Sequence, residues 1–201
     1  KPNSFTAATQ LAEAPNGAMV SAGTATSGKG NPLQQDTFVV ARFSAGGRFD
    51  STFGGSGVVQ LPVPRPKDAG DAQLTGLVVQ PDGKVVVVGS SYQSATRFDF
   101  AVARLNTDGS LDNTFGIIDL ATGARIGKQV INFGYGYDGN SPTTDTSSAV
   151  ALQFGGPSVK IVVVGNSVGI NNGDTDFALA RLNLSGGLDG AFGNGGLVLT
   201  D

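Results

Sequence analysis

The sequence contains no histidine and no cysteine. Without these side chains the chain can form neither a Ser-His nor a Cys-His nucleophile system, and it lacks the ordinary ligands of zinc, copper and haem. The absence of cysteine also excludes a disulfide framework. Any catalysis in this chain would therefore have to rely on carboxylates, either as a pair of aspartates or as an aspartate with a lysine.

Glutamate is almost absent as well. Glu13 is its single occurrence among 16 acidic residues, whereas glycine occurs 31 times. Aspartate and glycine favour turns while glutamate favours helix interiors, so this imbalance argues against helices. The 13 basic residues are scattered and the net charge is −3, which argues against a nucleic-acid partner. No apolar run is long enough to span a bilayer, so we expect a turn-rich, all-β protein without a membrane span.

What the sequence does contain is an internal repeat. Residues 38–43 read FVVARF, and the pattern returns as FAVARL at 100–105 and as FALARL at 177–182. Each copy is followed by a glycine-containing turn, then an aspartate, then a Phe-Gly pair. The landmarks keep one order three times, so the chain consists of three tandem copies of one unit.

The landmarks divide the chain into units at 1–66, at 67–140 with an insert at 117–128, and at 141–201. In the middle unit we predict four strands, at 74–80, 85–90, 98–106 and 129–133. Turn sequences that contain Asp-Gly follow the first and the third strand, and a polar loop joins the second to the third. The second strand is continuously apolar, VVVV at 85–88 and IVVV at 161–164, which predicts that both of its faces are covered. The fourth strand contains both apolar and polar residues, as expected for an outer strand that is partly exposed to solvent. We therefore predict an all-β fold of three four-stranded antiparallel β-propeller blades, part of a larger ring.

The motifs of the middle copy carry a family resemblance. Between 81 and 116 the chain reads PDGKVVVVG, then DFAVARLN, then DGSLD and FG. This segment resembles the delta-60 repeat, a β-propeller repeat of bacterial surface and secreted proteins. The third copy departs from it at the turn 154–157, and in the first copy Met19 and Ser21 interrupt the valine run. The resemblance implies a propeller fold and export to the cell surface, the medium or the periplasm, and it implies no activity.

Three blades do not close a propeller, because rings typically contain about four to eight. An open arc would expose two apolar blade faces to water. We expect these faces to be covered by further blades, either from a second copy of the chain or from another segment of a longer chain. Two copies related by a two-fold axis would give a six-bladed ring.

An arginine on the third strand and an aspartate eight residues later recur in every copy. The pairs are Arg42 with Asp50, Arg104 with Asp112, and Arg181 with Asp189. They are either a ring of ligand-binding charges, or buried ion pairs and turn contacts that hold each blade together. Because a feature present in every blade is usually structural, we favour the second interpretation.

The loops that do not repeat are where a ligand site is expected. Tyr135, Tyr137, Asp138 and Asn140 lie together in one such loop. Aromatic faces beside Asp and Asn side chains suit stacking and hydrogen bonding of a glycan, so this loop is the candidate ligand patch. The alternative is a surface loop whose tyrosines pack on the blade.

A second loop, in the third copy, carries Asn171, Asn172, Asp174 and Asp176 around a glycine. Alternating oxygen ligands of this kind suit Ca²⁺, which takes about six to eight oxygens. The spacing does not match an EF-hand loop and lacks its glutamate, so a polar connection is the alternative. Apart from Ca²⁺, the sequence indicates no cofactor.

The leading functional hypothesis is a non-enzymatic, exported β-propeller module that serves as a binding or assembly platform for a protein or glycan. One alternative is a carboxylate-based, glycan-active hydrolase or lyase, for which Asp138 and Asp145 would be the residues to replace. The other is a structural subunit of a surface layer or filament, in which open arcs stack head to tail.

Overall fold

The computed structural model describes residues 4–26, 35–64, 72–93, 95–134, 143–156, 158–168 and 174–200. These residues form twelve β-strands arranged in three four-stranded sheets, and each strand is antiparallel to its neighbours. Among them there is no helix long and apolar enough to cross a membrane. The predicted all-β fold of three four-stranded antiparallel units is confirmed.

Each sheet is one blade, and within it the order in space follows the order along the chain. Blade 1 contains β1 (Ser4–Glu13), β2 (Met19–Thr26), β3 (Gln35–Phe43) and β4 (Val58–Pro64). Blade 2 contains β5 (Gln73–Val79), β6 (Val85–Gln93), β7 (Arg97–Leu105) and β8 (Lys128–Ile131). Blade 3 contains β9 (Thr144–Gln153), β10 (Lys160–Val168), β11 (Thr175–Leu182) and β12 (Leu197–Thr200). The strands of blade 2 begin within one residue of the predicted positions.

The blades are packed as wedges. Their first strands contact one another in sequence, β1 with β5 and β5 with β9. The fourth strands, β4, β8 and β12, make few or no contacts with one another in the described part of the chain. First strands that converge and fourth strands that diverge are the arrangement of neighbouring propeller blades around an axis.

Two apolar cores separate the three blades. Val85 and Val87 of β6 join the core against blade 1, whereas Val86 and Val88 join the core against blade 3. Because alternate side chains of a strand point to opposite faces, one continuous valine run serves both cores. All four valines are fully buried, as the sequence predicts for a strand covered on both sides.

The strand β10 has the same apolar pattern but a different environment. Ile161 and Val163 are fully buried against blade 2, while Val162 and Val164 are only half-buried. The second face of this strand has no neighbouring blade among the described residues, so the prediction that both of its faces are covered stays a prediction for blade 3. The continuously apolar pattern predicts a strand whose two faces can both be buried. Whether both faces are buried depends on the presence of a neighbouring blade on each side.

Candidate functional site

The recurring arginine and aspartate meet at the corner where the third strand of each blade turns towards the fourth. The Nε atom of the arginine donates a hydrogen bond to Oδ2 of the aspartate in all three blades. The distances are 2.9 Å for Arg42 and Asp50, 2.7 Å for Arg104 and Asp112, and 2.9 Å for Arg181 and Asp189.

The arginine of blade 2 also reaches the next blade. Arg104 is buried, and its Nη1 donates to the carbonyl oxygen of Leu184 in blade 3 at 2.6 Å. Its Nη2 donates to Thr114, and the guanidinium lies 4.6 Å from the centroid of the Phe115 ring. One side chain therefore holds its own corner and binds the neighbouring blade.

The same contact exists between blades 1 and 2, and a backbone bond runs beside it. Nη1 of Arg42 donates to the carbonyl oxygen of Thr107. The N–H of Gly54 donates to the carbonyl oxygen of Asp108 at 2.7 Å, as the N–H of Gly116 does to that of Ser185 at 2.9 Å. We call this arrangement the blade lock: an arginine Nη1 and the N–H of the Phe-Gly glycine of one blade donate to two consecutive carbonyls of the next.

The blade lock requires a glycine on its acceptor side. Gly109 and Gly186 follow the acceptor carbonyls and have φ values of +85° and +82°. A Cβ at Gly109 would lie 2.7 Å from the nitrogen of Gly54, and one at Gly186 would lie 2.5 Å from the nitrogen of Gly116. Only glycine permits both the left-handed backbone and this close approach.

A phenylalanine ring adds an apolar contact to each blade lock. The ring of Phe38 covers Gly89 of blade 2 so closely that a Cβ there would lie 2.4 Å from its Cζ. Phe100 covers Gly165 of blade 3 in the same way, at 2.8 Å. Both phenylalanines are buried, so the contact removes a large apolar surface from water.

The carboxylate of Asp112 is strongly stabilised in its ionised form. Burial alone would raise its pKa, but hydrogen bonds from Thr114 and Lys84 and the charge of Arg104 lower that pKa far below its ordinary value of 3.8. Nζ of Lys84 lies 2.9 Å from Oδ2 of the aspartate. The folded protein therefore keeps this carboxylate charged at acid pH values where an unfolded chain would protonate it.

Two further buried carboxylates have the opposite shift. Burial raises the pKa of both Asp99 and Asp145. Asp145 accepts hydrogen bonds from the N–H of Phe133, at 2.9 Å, and from the hydroxyls of Ser167 and Thr143. It therefore joins the end of blade 2 to the first two strands of blade 3, without access to solvent.

These shifts predict a pH dependence of stability that single substitutions should alter in opposite directions. The lowered pKa of Asp112 contributes stability that is lost as the pH falls below about 4, because the unfolded chain takes up the proton first. Asp112→Asn should therefore give a shallower loss of stability on acidification. Asp99→Asn should give a steeper one, because a raised pKa contributes stability that grows as the pH falls.

The measurement is the free energy of unfolding, obtained from urea titrations of the three proteins between about pH 6 and pH 3. If the free energy of unfolding falls with pH equally steeply in the wild-type protein and in the two variants, the assignment of these pKa shifts is contradicted.

At the open side of blade 3, the donors of a third blade lock have no acceptor blade among the described residues. Phe177 is 65% exposed, although Phe38 and Phe100 at the equivalent positions are 3% and 0% exposed. Nη1 of Arg181 donates to Oε1 of Gln153 in its own blade, at 3.0 Å. The N–H of Gly193 donates to no acceptor within the described residues.

Blade 1 has the matching acceptors. The carbonyls of Ala45 and Gly46 occupy the positions of the lock acceptors and accept no backbone hydrogen bond from any described residue. Gly47, at the position of the two lock glycines, has a φ of +75°, and no heavy atom of a described residue lies within 4 Å of the position that a Cβ would occupy there. It is exposed, whereas Gly109 and Gly186 are buried.

The candidate ligand patch of Tyr135, Tyr137, Asp138 and Asn140 lies outside the described residues. The glycan-binding role of this loop stays a prediction.

The candidate Ca²⁺ loop is described only in part. Asn171 and Asn172 lie outside the described residues, Asp174 is exposed, and Asp176 is buried in β11. The described part of the chain contains no group of three or more His, Cys, Asp or Glu side chains that could hold a metal. The Ca²⁺ site stays a prediction as well.

Sequence reasoning missed the aromatic part of the lock and its acceptors. The phenylalanine was visible as the first residue of each repeat landmark, at Phe38, Phe100 and Phe177, but nothing in the pattern assigned it a contact. The acceptors are backbone carbonyls, which have no side-chain signature, so only the geometry reveals them.

Two segments of the chain, residues 80–115 and 160–192, match a family model described as a β-propeller domain of unknown function (DUF5122). The matched segments lie in blades 2 and 3, and each contains the second and third strands, the lock arginine and the glycine turn that follows the third strand. No curated protein and no solved structure matches the chain. The three wedge-shaped sheets and the family match together identify the repeats of this chain as β-propeller blades.

Proposed function

We propose that the chain is a non-enzymatic, exported β-propeller module that serves as a binding and assembly platform for protein or glycan partners. The observation that carries the proposal is the open face of blade 3, where Phe177 and Arg181 occupy positions that are buried in both other blades. An exposed apolar face with oriented hydrogen-bond donors is suited to a protein partner. Association through this face is therefore the activity that the chain supports best.

The proposed location outside the cytoplasm, at the cell surface, in the medium or in the periplasm, rests on the resemblance to delta-60 repeats. A sequence rich in Gly, Asn, Thr and Ser agrees with it. Detection of the protein in fractionated cells and culture medium is the direct test.

The geometry gives little support to the carboxylate-based enzyme. Raised carboxylate pKa values such as those of Asp99 and Asp145 suit a general acid, but both side chains are buried and hydrogen-bonded within the fold. A cleft between blades 1 and 2 is lined by Leu61, Val63 and Val130 among other residues, and none of the described residues that line it is a carboxylate. A screen for release of reducing ends from polysaccharides, with Asp138→Asn as control, tests this alternative, and we expect no release.

Sedimentation velocity tests the assembly role. We expect the purified chain to associate in a concentration-dependent manner, and Phe177→Ser to weaken this association at least tenfold, because it removes a phenylalanine that is 65% exposed on the open face. Leu120→Ser is the matched control: Leu120 is 98% exposed in the loop between β7 and β8 of blade 2, so its loss should leave association unchanged.

A chain that sediments as a monomer at every concentration would contradict the proposed assembly role. Equal weakening by the two substitutions would also contradict it, because association would then reflect general surface hydrophobicity.

A further inference from the structure

We infer that the partner of the open blade faces is a second copy of this chain, and that two copies close a six-bladed ring in which blade 3 of each copy locks onto blade 1 of the other. The inference rests on the proposed function, because it names the partner for the same open face. Its basis is that the two ends of one chain carry the two complementary halves of the blade lock.

The donor half lies on blade 3. In the two internal locks, the arginine and the Phe-Gly glycine donate to the carbonyls three and four residues beyond the arginine of the next blade. Arg181 and Gly193 are the third set of donors, and the ring of Phe192 lies 4.4 Å from the guanidinium, as Phe115 does at 4.6 Å from that of Arg104. The donor half is therefore already arranged as it is where a neighbouring blade is present.

The acceptor half lies on blade 1. The carbonyls three and four residues beyond Arg42 are those of Ala45 and Gly46, and Gly47 follows them with the left-handed backbone of Gly109 and Gly186. Among the described residues, no atom lies close enough to Gly47 to clash with a Cβ at this position. A blade packed against this turn, as blade 1 packs against the turn of blade 2, would fill that space.

Apolar side chains flank the lock on both ends. Val162, Val164 and Phe177 are half-buried or exposed on the open face of blade 3. On blade 1, Phe43 is half-buried and stacks on Phe49, which is 58% exposed. Burying these surfaces against each other supplies the hydrophobic driving force, while the lock fixes the register.

The wedge packing favours closure over a chain of copies. A contact between two different faces closes a ring when successive rotations bring the ends together, and otherwise extends as a filament. Because β1, β5 and β9 converge, each added blade continues around the same axis. Two arcs of three blades give six, within the range of about four to eight in which propellers close.

Native mass spectrometry of the 201-residue chain and two variants tests the inference. Gly47→Asn keeps the left-handed turn, which asparagine tolerates, but adds a Cβ where the partner's Gly193 N–H would dock. Gly123→Asn is the matched control: Gly123 has a φ of +69° and empty space around it, in the exposed loop of blade 2. Far-ultraviolet circular dichroism establishes that each variant is folded.

We expect the wild-type chain and Gly123→Asn to form one discrete species of about 40 kDa, twice the 20.2 kDa of the chain, and Gly47→Asn to dissociate at least tenfold more readily. Phe177→Ser provides a second, independent disruption from the opposite half of the lock. A dimer that survives Gly47→Asn unchanged, or a ladder of higher oligomers in place of a dimer, would overturn the ring while leaving the assembly role standing. A strictly monomeric wild-type chain would overturn both.

Discussion

Replacing Gly109 or Gly186 with alanine is expected to destabilise the protein by roughly 2–5 kcal/mol. The left-handed backbone accounts for about 1–2 kcal/mol of this in an alanine. The remainder comes from overpacking, because the new Cβ would collide with a backbone nitrogen of the preceding blade that is itself held in a hydrogen bond. Neither atom can move without opening the blade lock.

The measurement is the free energy of unfolding by urea, with Gly123→Ala as the control. Gly123 has the same left-handed backbone but no atom of a described residue within 4 Å of its Cβ position, so its substitution should cost only about 1–2 kcal/mol. If the control and the two lock variants lose the same stability, the close approach between blades contributes nothing and the lock is wrongly described.

Replacing Arg104 with alanine is expected to cost about 3–5 kcal/mol, the range for removing one partner of a buried ion pair. The substitution leaves the buried carboxylate of Asp112 without its closest cation and the carbonyl of Leu184 without its donor. It also removes the packing of the guanidinium on Phe115. One truncation therefore damages a blade corner and the contact between two blades together.

The comparison is Arg181→Ala, at the same repeat position in blade 3. Arg181 is partly exposed and binds no further blade within the described chain, so about 1 kcal/mol is expected. Both variants should be measured in a chain that also carries Gly47→Asn, which keeps the outer faces of blades 1 and 3 apart. An equal loss at the two positions would mean that the bond to the next blade adds no stability.

Most of the fold could be predicted from the repeat and its turn chemistry. The Asp-Gly turns and the unbroken valine run at 85–88 define strands whose starts the structure reproduces within one residue. The valine run is informative because a strand with one face in solvent would alternate apolar and polar residues. An unbroken apolar run is explained by burial of both faces.

The environment of each blade could not be predicted from the same pattern. Val88 and Val164 stand at equivalent positions in nearly identical sequences, yet one is fully buried and the other half-buried. The apolar pattern of one strand shows that its face can be buried. Whether the face is buried depends on which blades follow along the chain or join it from another molecule. The exposure of Phe177 has the same origin.

The contacts of the site that are made by side chains could be predicted from the sequence, whereas the contacts made by backbone atoms could not. Arg104 and Asp112 stand out because they recur, but the carbonyls that complete the lock belong to Leu184 and Ser185, residues that differ in each copy. Lys84, a second cation on Asp112, sits in the turn motif 28 residues away and gave no signal of that contact. Contacts between blades depend on how two blades pack against each other, and the sequence of a single repeat does not show that packing.

A crystal structure of the 201-residue chain, grown without any partner protein, would show whether its two open ends pair with each other. We expect two copies in one six-bladed ring, with Nη1 of Arg181 and the N–H of Gly193 donating to the carbonyls of Ala45 and Gly46 in the other copy. Three blades standing alone, with Phe177 in solvent and the turn at Gly47 empty, would contradict the pairing of the two lock halves.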